Sequence, residues 1–161
     1  MQIQGLQKLT LLDYPGRTAC TIFLSGCNFR CPFCHNAPLL TADAADGIGE
    51  EELLAFLKKR QGLLDGVVVT GGEPLLRPEL PALLEKIKAL GYAVKLDTNG
   101  TFPERLEQVV RAGLADYVAM DVKNSPMRYA QTVGAMELDL APIDKSVSFL
   151  LRGTVDYEFR T

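Results

Sequence analysis

Three cysteines share one short stretch, Cys27-Asn28-Phe29-Arg30-Cys31-Pro32-Phe33-Cys34, with the spacing C-x3-C-x2-C. Thiolates this close present sulfur donors to one face of a metal centre. Four would close an ordinary iron–sulfur cluster, whereas three leave one iron open to an exogenous ligand. The fourth cysteine, Cys20, could complete the set, but it sits inside an apolar segment where a buried free thiol is the blander reading. A zinc site from the three cysteines and His35 is a second option. Its weakness is that His35 adjoins Cys34, and neighbouring residues chelate one tetrahedral ion poorly. A third option is a Cys31-Pro32-Phe33-Cys34 dithiol, which leaves Cys27 without a role.

Four further polar clusters follow along the chain: Thr70-Gly71-Gly72-Glu73-Pro74, Asp97-Thr98-Asn99-Gly100, Asp121-Val122-Lys123, and Arg160. Taken singly each has an ordinary reading. Gly-Gly and Asn-Gly are turn pairs, and an Asp before a helix is often a cap. Their positions relative to the secondary structure give them weight. Alternation and β-rich composition predict strands over 18–24, 67–70, 92–96, 117–120 and 155–160. Apolar periodicity and terminal charges predict helices over 50–60, 78–90, 103–112 and 139–151, with a loose segment over 124–134. Strands alternating with helices imply βαβ units, hence an α/β fold with a parallel sheet of about five strands. Every predicted strand then ends in one of the clusters, on the rim where α/β sheets and barrels place their active sites.

The chain has 161 residues, 47% hydrophobic and 23% charged, with a formal net charge of −3. That composition is globular, and the length predicts a single domain over 1–161. A complete eight-fold β/α barrel typically needs about 250 residues. No basic footprint suggests nucleic acid, and no apolar run approaches the roughly 20 residues of a membrane span. All four cysteines fall in the first quarter of the chain, unlike a disulfide framework, which spreads its cysteines. Together with the lack of a secretory signal pattern at Met1, this leads us to expect a reducing, cytoplasmic setting.

The cysteine spacing, with Phe33 just before the last cysteine, resembles the first motif of radical S-adenosylmethionine (SAM) enzymes, and Gly71-Gly72-Glu73-Pro74 resembles their second. Leu12-Asp13-Tyr14-Pro15-Gly16, Gly26 through Asn36, Leu96 through Gly100 and Met120 through Lys123 resemble the glycyl-radical-enzyme activases. The pattern is nearest the anaerobic ribonucleoside-triphosphate reductase activating proteins, with pyruvate formate-lyase activases similar. The resemblance implies a partial (β/α) barrel of the radical SAM type and a [4Fe-4S] cluster on Cys27, Cys31 and Cys34. It implies SAM on the fourth iron, reductive cleavage to a 5′-deoxyadenosyl radical, and hydrogen abstraction from a glycine of a partner glycyl radical enzyme. An electron donor such as flavodoxin or ferredoxin is implied with it.

By the same resemblance, Gly71 and Gly72 admit the methionine part of SAM, and Glu73 or nearby carbonyls, with Pro74 in the same motif, receive its ammonium. Phe33 and His35 lie toward the adenine. Asp97, Thr98 and Asn99 line the SAM site or an adjacent cation site, and Lys123 and Arg160 offer cations to the SAM carboxylate or ribose. The family builds about six β/α units, so we expect the domain to be C-terminally incomplete. Two alternatives stay open: a radical SAM enzyme acting on a small molecule, such as a 7-carboxy-7-deazaguanine synthase, and a non-catalytic iron–sulfur or zinc protein.

Overall fold

The computed structural model describes residues 1–40 and 47–161. In chain order its strands are β1 (Gln2–Ile3), β2 (Gly5–Thr10), β3 (Ala19–Leu24), β4 (Ile48–Gly49), β5 (Gly66–Gly71), β6 (Ala93–Thr98), β7 (Tyr117–Asp121) and β8 (Asp156–Arg160). The helices are α1 (Glu50–Arg60), α2 (Leu80–Ala89), α3 (Pro103–Arg111), α4 (Pro126–Thr132) and α5 (Ala141–Leu150). β1 and β4 form a small antiparallel ribbon. The main sheet has six strands in the order β2-β3-β5-β6-β7-β8. From β3 to β8 every pairing is parallel, as in a partial barrel, while β2 runs antiparallel to β3 at one edge.

The five parallel strands are the five read from the sequence. A sixth strand, β2, is added antiparallel at one edge. Its sequence, Gly5-Leu6-Gln7-Lys8-Leu9-Thr10, lacks regular alternation, and Leu9 is more than half exposed. Pairing with β3, not burial, makes it a strand. The expected loose segment over 124–134 also contains a helix, α4. At seven residues it is too short to show apolar periodicity, and its buried side chain is Tyr129. The Tyr129 ring lies 6.5 Å from Phe29 in the cysteine loop.

Successive side chains on each parallel strand point to opposite faces. One face carries Cys20, Ile22, Leu24, Val67, Val69, Val94, Leu96, Val118 and Met120, all buried in the main core. The amphipathic helices close over that face: Leu53 and Leu57 from α1, Leu83, Leu84 and Ile87 from α2, Leu106 and Val109 from α3, and Phe149 and Leu150 from α5. Each such aliphatic or aromatic burial contributes about 1.5–3 kcal/mol against exposure. The opposite face carries Thr21, Phe23, Val68, Thr70, Asp97, Asp121 and Arg160, which line an interior cavity. Among the described residues, no helix is long and apolar enough to cross a membrane.

Candidate active site

The cavity has a volume of about 990 Å³ and opens at the C-terminal ends of the parallel strands. This is the upper end of the size range for small-molecule and cofactor sites. Cys27, Cys31, Phe33, Cys34 and His35 line one side of it, and Gly71, Gly72, Asp97, Thr98, Asn99, Lys123 and Arg160 line the rest. The fold thus brings nearly all the expected residues to one rim. Glu73 and Pro74 are the exceptions, being buried behind it. Cys20 is fully buried on the opposite face of its strand, where burial pushes its thiol pKa up to about 12. It stands with the core, apart from the other three.

The cysteine loop is fixed from several sides. Gly72 N donates to Leu24 O at 2.8 Å and Glu73 N to Gly26 O at 2.8 Å, so the turn after β5 docks backbone-to-backbone on the start of the loop. These contacts explain the two glycines directly. A Cβ at Gly71, where φ is +122°, would meet Leu24 O at 2.2 Å, and one at Gly72 would meet Gly26 O at 1.9 Å. The Arg77 guanidinium grips Ser25 O at 2.7 and 3.0 Å. On the far side Arg30 N donates to Val133 O at 2.9 Å, tying the loop to the end of α4. Asn36 Nδ2 donates to Gly71 O at 3.2 Å, so the loop's last residue reaches back to the same turn.

Glu73 does not reach the cavity. Its side chain is fully buried and already occupied. Oε1 accepts from Leu75 N at 3.0 Å and Thr98 Oγ1 at 2.8 Å, and Oε2 accepts from Asn99 N at 2.7 Å. Burial raises its pKa from the usual carboxylate range to about 7, against the lowering effect of those three bonds. Glu73 therefore staples the turn after β5 to the turn after β6. Of the groups expected to receive a ligand ammonium, this carboxylate is turned away from the cavity, which Gly71 and Gly72 line.

Lys123 and Arg160 do face the cavity, each already paired. Arg160 bridges two carboxylates, with Nε 2.9 Å from Asp121 Oδ1 and a terminal nitrogen 3.1 Å from Asp97 Oδ2. Burial works against its charge, but Asp97 and Asp121 outweigh it and raise its pKa. Lys123 Nζ lies 2.7 Å from Asp121 Oδ2 and 6.0 Å from the centre of the half-exposed Phe33 ring. The buried Lys95 adds a pair with Asp97 at 3.1 Å. Lys95 also pairs with Glu158 at 3.5 Å, so three cations and three carboxylates form a balanced network. In this conformation its charge is spent on the chain itself, not offered freely to a ligand.

Several lining residues had no assigned role in the sequence reading: Gln7, Asp13, Thr21, Asn36, Thr70 and Asp121. Asp13 lies in the Leu12–Gly16 motif and accepts from Thr21 Oγ1 at 2.7 Å. Its place in the Leu12–Gly16 motif is the sequence signal for it. Asn28 and Thr101 belong to an amide network with Asn99, which sequence spacing alone does not reveal.

The family model described as the radical SAM superfamily matches residues 21–138. The chain belongs to the radical SAM superfamily. Radical SAM proteins use a [4Fe-4S] cluster and S-adenosylmethionine. The residues present fit that pair of cofactors. Among the described residues no three His, Cys, Asp or Glu side chains stand close enough to hold a single ion. A polynuclear cluster asks each thiolate for a different iron, and three thiols lining one cavity supply that donor set.

Relatives of this radical SAM chain include a Methanocaldococcus jannaschii protein that carries the provisional name of glycyl-radical enzyme activating enzyme. It is 37% identical over 84% of this chain and 55% of its own length. A 7-carboxy-7-deazaguanine synthase from Hyperthermus butylicus is 38% identical over 71% of this chain and 48% of its own. The pyruvate formate-lyase-activating enzyme of Clostridium pasteurianum is 33% identical over 76% of this chain and 52% of its own. The chain thus spans about half the length of the curated relatives it matches. Among solved structures, QueE from Escherichia coli shares the fold with a TM-score of 0.55 at 17% identity, over 99% of this chain and 93% of that one.

Proposed function

We propose that Cys27, Cys31 and Cys34 hold the [4Fe-4S] cluster of a glycyl-radical-enzyme activase, with anaerobic ribonucleoside-triphosphate reductase as the partner. The bound cofactors supply the reactivity, a low-potential electron delivered to S-adenosylmethionine. The chain positions and shields them. Gly71 and Gly72 bring the backbone of the turn after β5 to the cavity, and Phe33 would offer a ring face to the adenine. The Asp97–Arg160–Asp121–Lys123 network sets charged groups on the cavity lining that a ligand carboxylate would meet.

The observation that carries the activase reading is the set of exposed apolar side chains on the cavity wall and on the α4 region that borders it. Phe33 is half exposed on the cavity wall. Asn124 and Thr132 also line the cavity, and the segment they belong to presents Met127 and Met136, both almost fully exposed. Exposed methionines in and just beyond a helix that borders the cavity, with a half-exposed aromatic on the cavity wall, suit contact with a polypeptide substrate. The second reading, a 7-carboxy-7-deazaguanine synthase, is favoured by the Hyperthermus butylicus relative. It predicts that a small deazapurine precursor is turned over without any protein partner.

The test is anaerobic reconstitution with iron and sulfide, then reduction with SAM and candidate glycyl radical enzymes. A flavodoxin or ferredoxin serves as the electron donor in a parallel reaction. A glycyl radical EPR doublet in the reductase is the expected result. SAM cleavage with no doublet in any candidate, together with turnover of a deazapurine precursor, would overturn the activase reading.

A further inference from the structure

One of the three cluster cysteines is embedded differently from the others. Cys27 Sγ accepts from Phe29 N at 3.4 Å and faces Asn99 Nδ2 at 3.9 Å. The Cys31 thiol has a backbone N–H as its donor, and among the described residues no side-chain donor reaches the sulfur of Cys31 or Cys34. The Phe29 contact is backbone and survives any substitution. The Asn99 contact comes from a side chain.

That side chain is held with little freedom. Asn99 is only 7% exposed. Its backbone N–H is anchored on Glu73 Oε2 at 2.7 Å. Its Oδ1 accepts from Thr101 N at 3.0 Å and Thr101 Oγ1 at 2.7 Å. A backbone N–H can only donate, so the amide oxygen must face Thr101 and the NH2 must face the other way. There one hydrogen meets Asn28 Oδ1 at 2.9 Å and the other is directed at Cys27 Sγ. The amide is thus saturated, with its orientation set by a group that cannot reverse.

We infer that Asn99 is a positioning residue whose side-chain N–H polarises the Cys27 sulfur and so sets the reduction potential of the cluster. The inference rests on Cys27 being a cluster ligand. A donor aimed at a ligating sulfur stabilises the more electron-rich, reduced cluster and raises its potential. The Glu73 staple then gains a second task. By fixing Asn99 N it sets the approach of this donor, linking the turn after β5 to one cysteine without touching it.

The experiment uses the whole chain, reconstituted anaerobically as wild type, Asn99→Ala, Asn99→Asp, Asn28→Ala and Cys27→Ala. The readouts are iron and sulfide content, the one-electron midpoint potential from EPR-monitored titration, and the EPR line shape of the reduced cluster. Asn99→Ala removes the donor, and its potential should fall below wild type at equal iron content. Asn99→Asp keeps the size and the acceptor for Thr101 but turns an oxygen toward the sulfur, so its potential should fall further. Asn28→Ala leaves the Asn99 donor in place and should stay at the wild-type value. Equal potentials in wild type and both Asn99 variants would overturn the inference. So would an Asn28→Ala shift as large as that of Asn99→Ala, because the effect would then be loosening of the loop. If Asn99→Ala fails to load, the isosteric Asn99→Asp carries the measurement. If neither loads, Asn99 is structural and the inference is wrong. Cys27→Ala separates the underlying assignment: full iron and sulfide in that variant would remove Cys27 from the ligand set, whatever the Asn99 variants do.

Discussion

Glu73→Gln is the substitution whose consequence can be worked furthest from the structure. The buried carboxylate accepts from three donors, two of them backbone N–H groups on different oxygens. Glutamine can offer one oxygen and must turn its NH2 toward either Leu75 N or Asn99 N. An unsatisfied, opposed donor pair in this fully buried position costs about 1–3 kcal/mol. A pH-dependent term acts in the other direction. Burial raises the folded-state pKa of Glu73 from 4.5 to about 7, so the fold favours the protonated carboxyl. That contribution is complete below about pH 4.5 and is lost as pH rises through 7. The proton has a place to go, because Thr98 Oγ1 can switch from donor to acceptor. The span corresponds to on the order of 3 kcal/mol between the two limits, at about 1.4 kcal/mol per pKa unit. Glutamine does not titrate. The stability difference between wild type and Glu73→Gln should therefore shrink from pH 5 to pH 8.5, and it can approach zero or change sign at the alkaline end. Urea denaturation of the two proteins at matched pH measures it, since the other titrating groups cancel. A difference that stays constant over that range, or that grows with pH, would refute the argument.

Cys31→Ala should abolish cluster loading by iron and sulfide assay, whereas Cys20→Ala should load normally and lose about 1–2 kcal/mol from core packing alone. Gly72→Ala drives a Cβ into Gly26 O, so the turn and the cysteine loop must part. It should cost at least about 2 kcal/mol in denaturant melts and weaken SAM binding measured by calorimetry. Arg160→Met leaves Asp97 and Asp121 facing each other across the cavity floor with less compensation. Its destabilisation should shrink as ionic strength rises, because added salt screens the repulsion between the two carboxylates. A loss in urea melts that is independent of salt would show that Arg160 acts through packing.

The parallel core of the fold is legible in the sequence because each strand is a short apolar run and each helix is periodic with charged ends. Val67-Val68-Val69 and the stripe Leu80, Leu83, Leu84 and Ile87 are unambiguous on those grounds. β2 was hidden because its strand character comes from pairing with β3, a long-range fact with no local composition to report it. α4 was hidden because seven residues leave no room for a period. At the site, the cysteines and the strand-end clusters were legible by type and spacing. What spacing could not show is direction. Glu73 and Asn99 sit in neighbouring clusters of equal prominence, yet one turns inward to staple two turns and the other presents an amide to a cysteine. Nor could it show that Lys123 and Arg160 are already paired. Those outcomes are decided by which carboxylates and N–H groups the tertiary fold brings within 3 Å.

The alternation of the parallel strands has a practical reach for engineering. Within β3, β5, β6 and β7, the position of a residue along its strand sorts it into one of two inventories. Ile22, Val69, Leu96 and Met120 are buried against the helices, whereas Phe23 and Thr70 line the cavity half-exposed and Val68 packs with Tyr14 and Ala19 in a second small core. A combinatorial library drawn from half-exposed lining positions such as Phe23 and Thr70 recolours the chamber while leaving the scaffold's hydrophobic interior unaltered. Polar diversity can therefore be screened for altered substrate scope with few clones lost to misfolding. The same number of changes placed one residue along each strand would sample mostly unfolded protein.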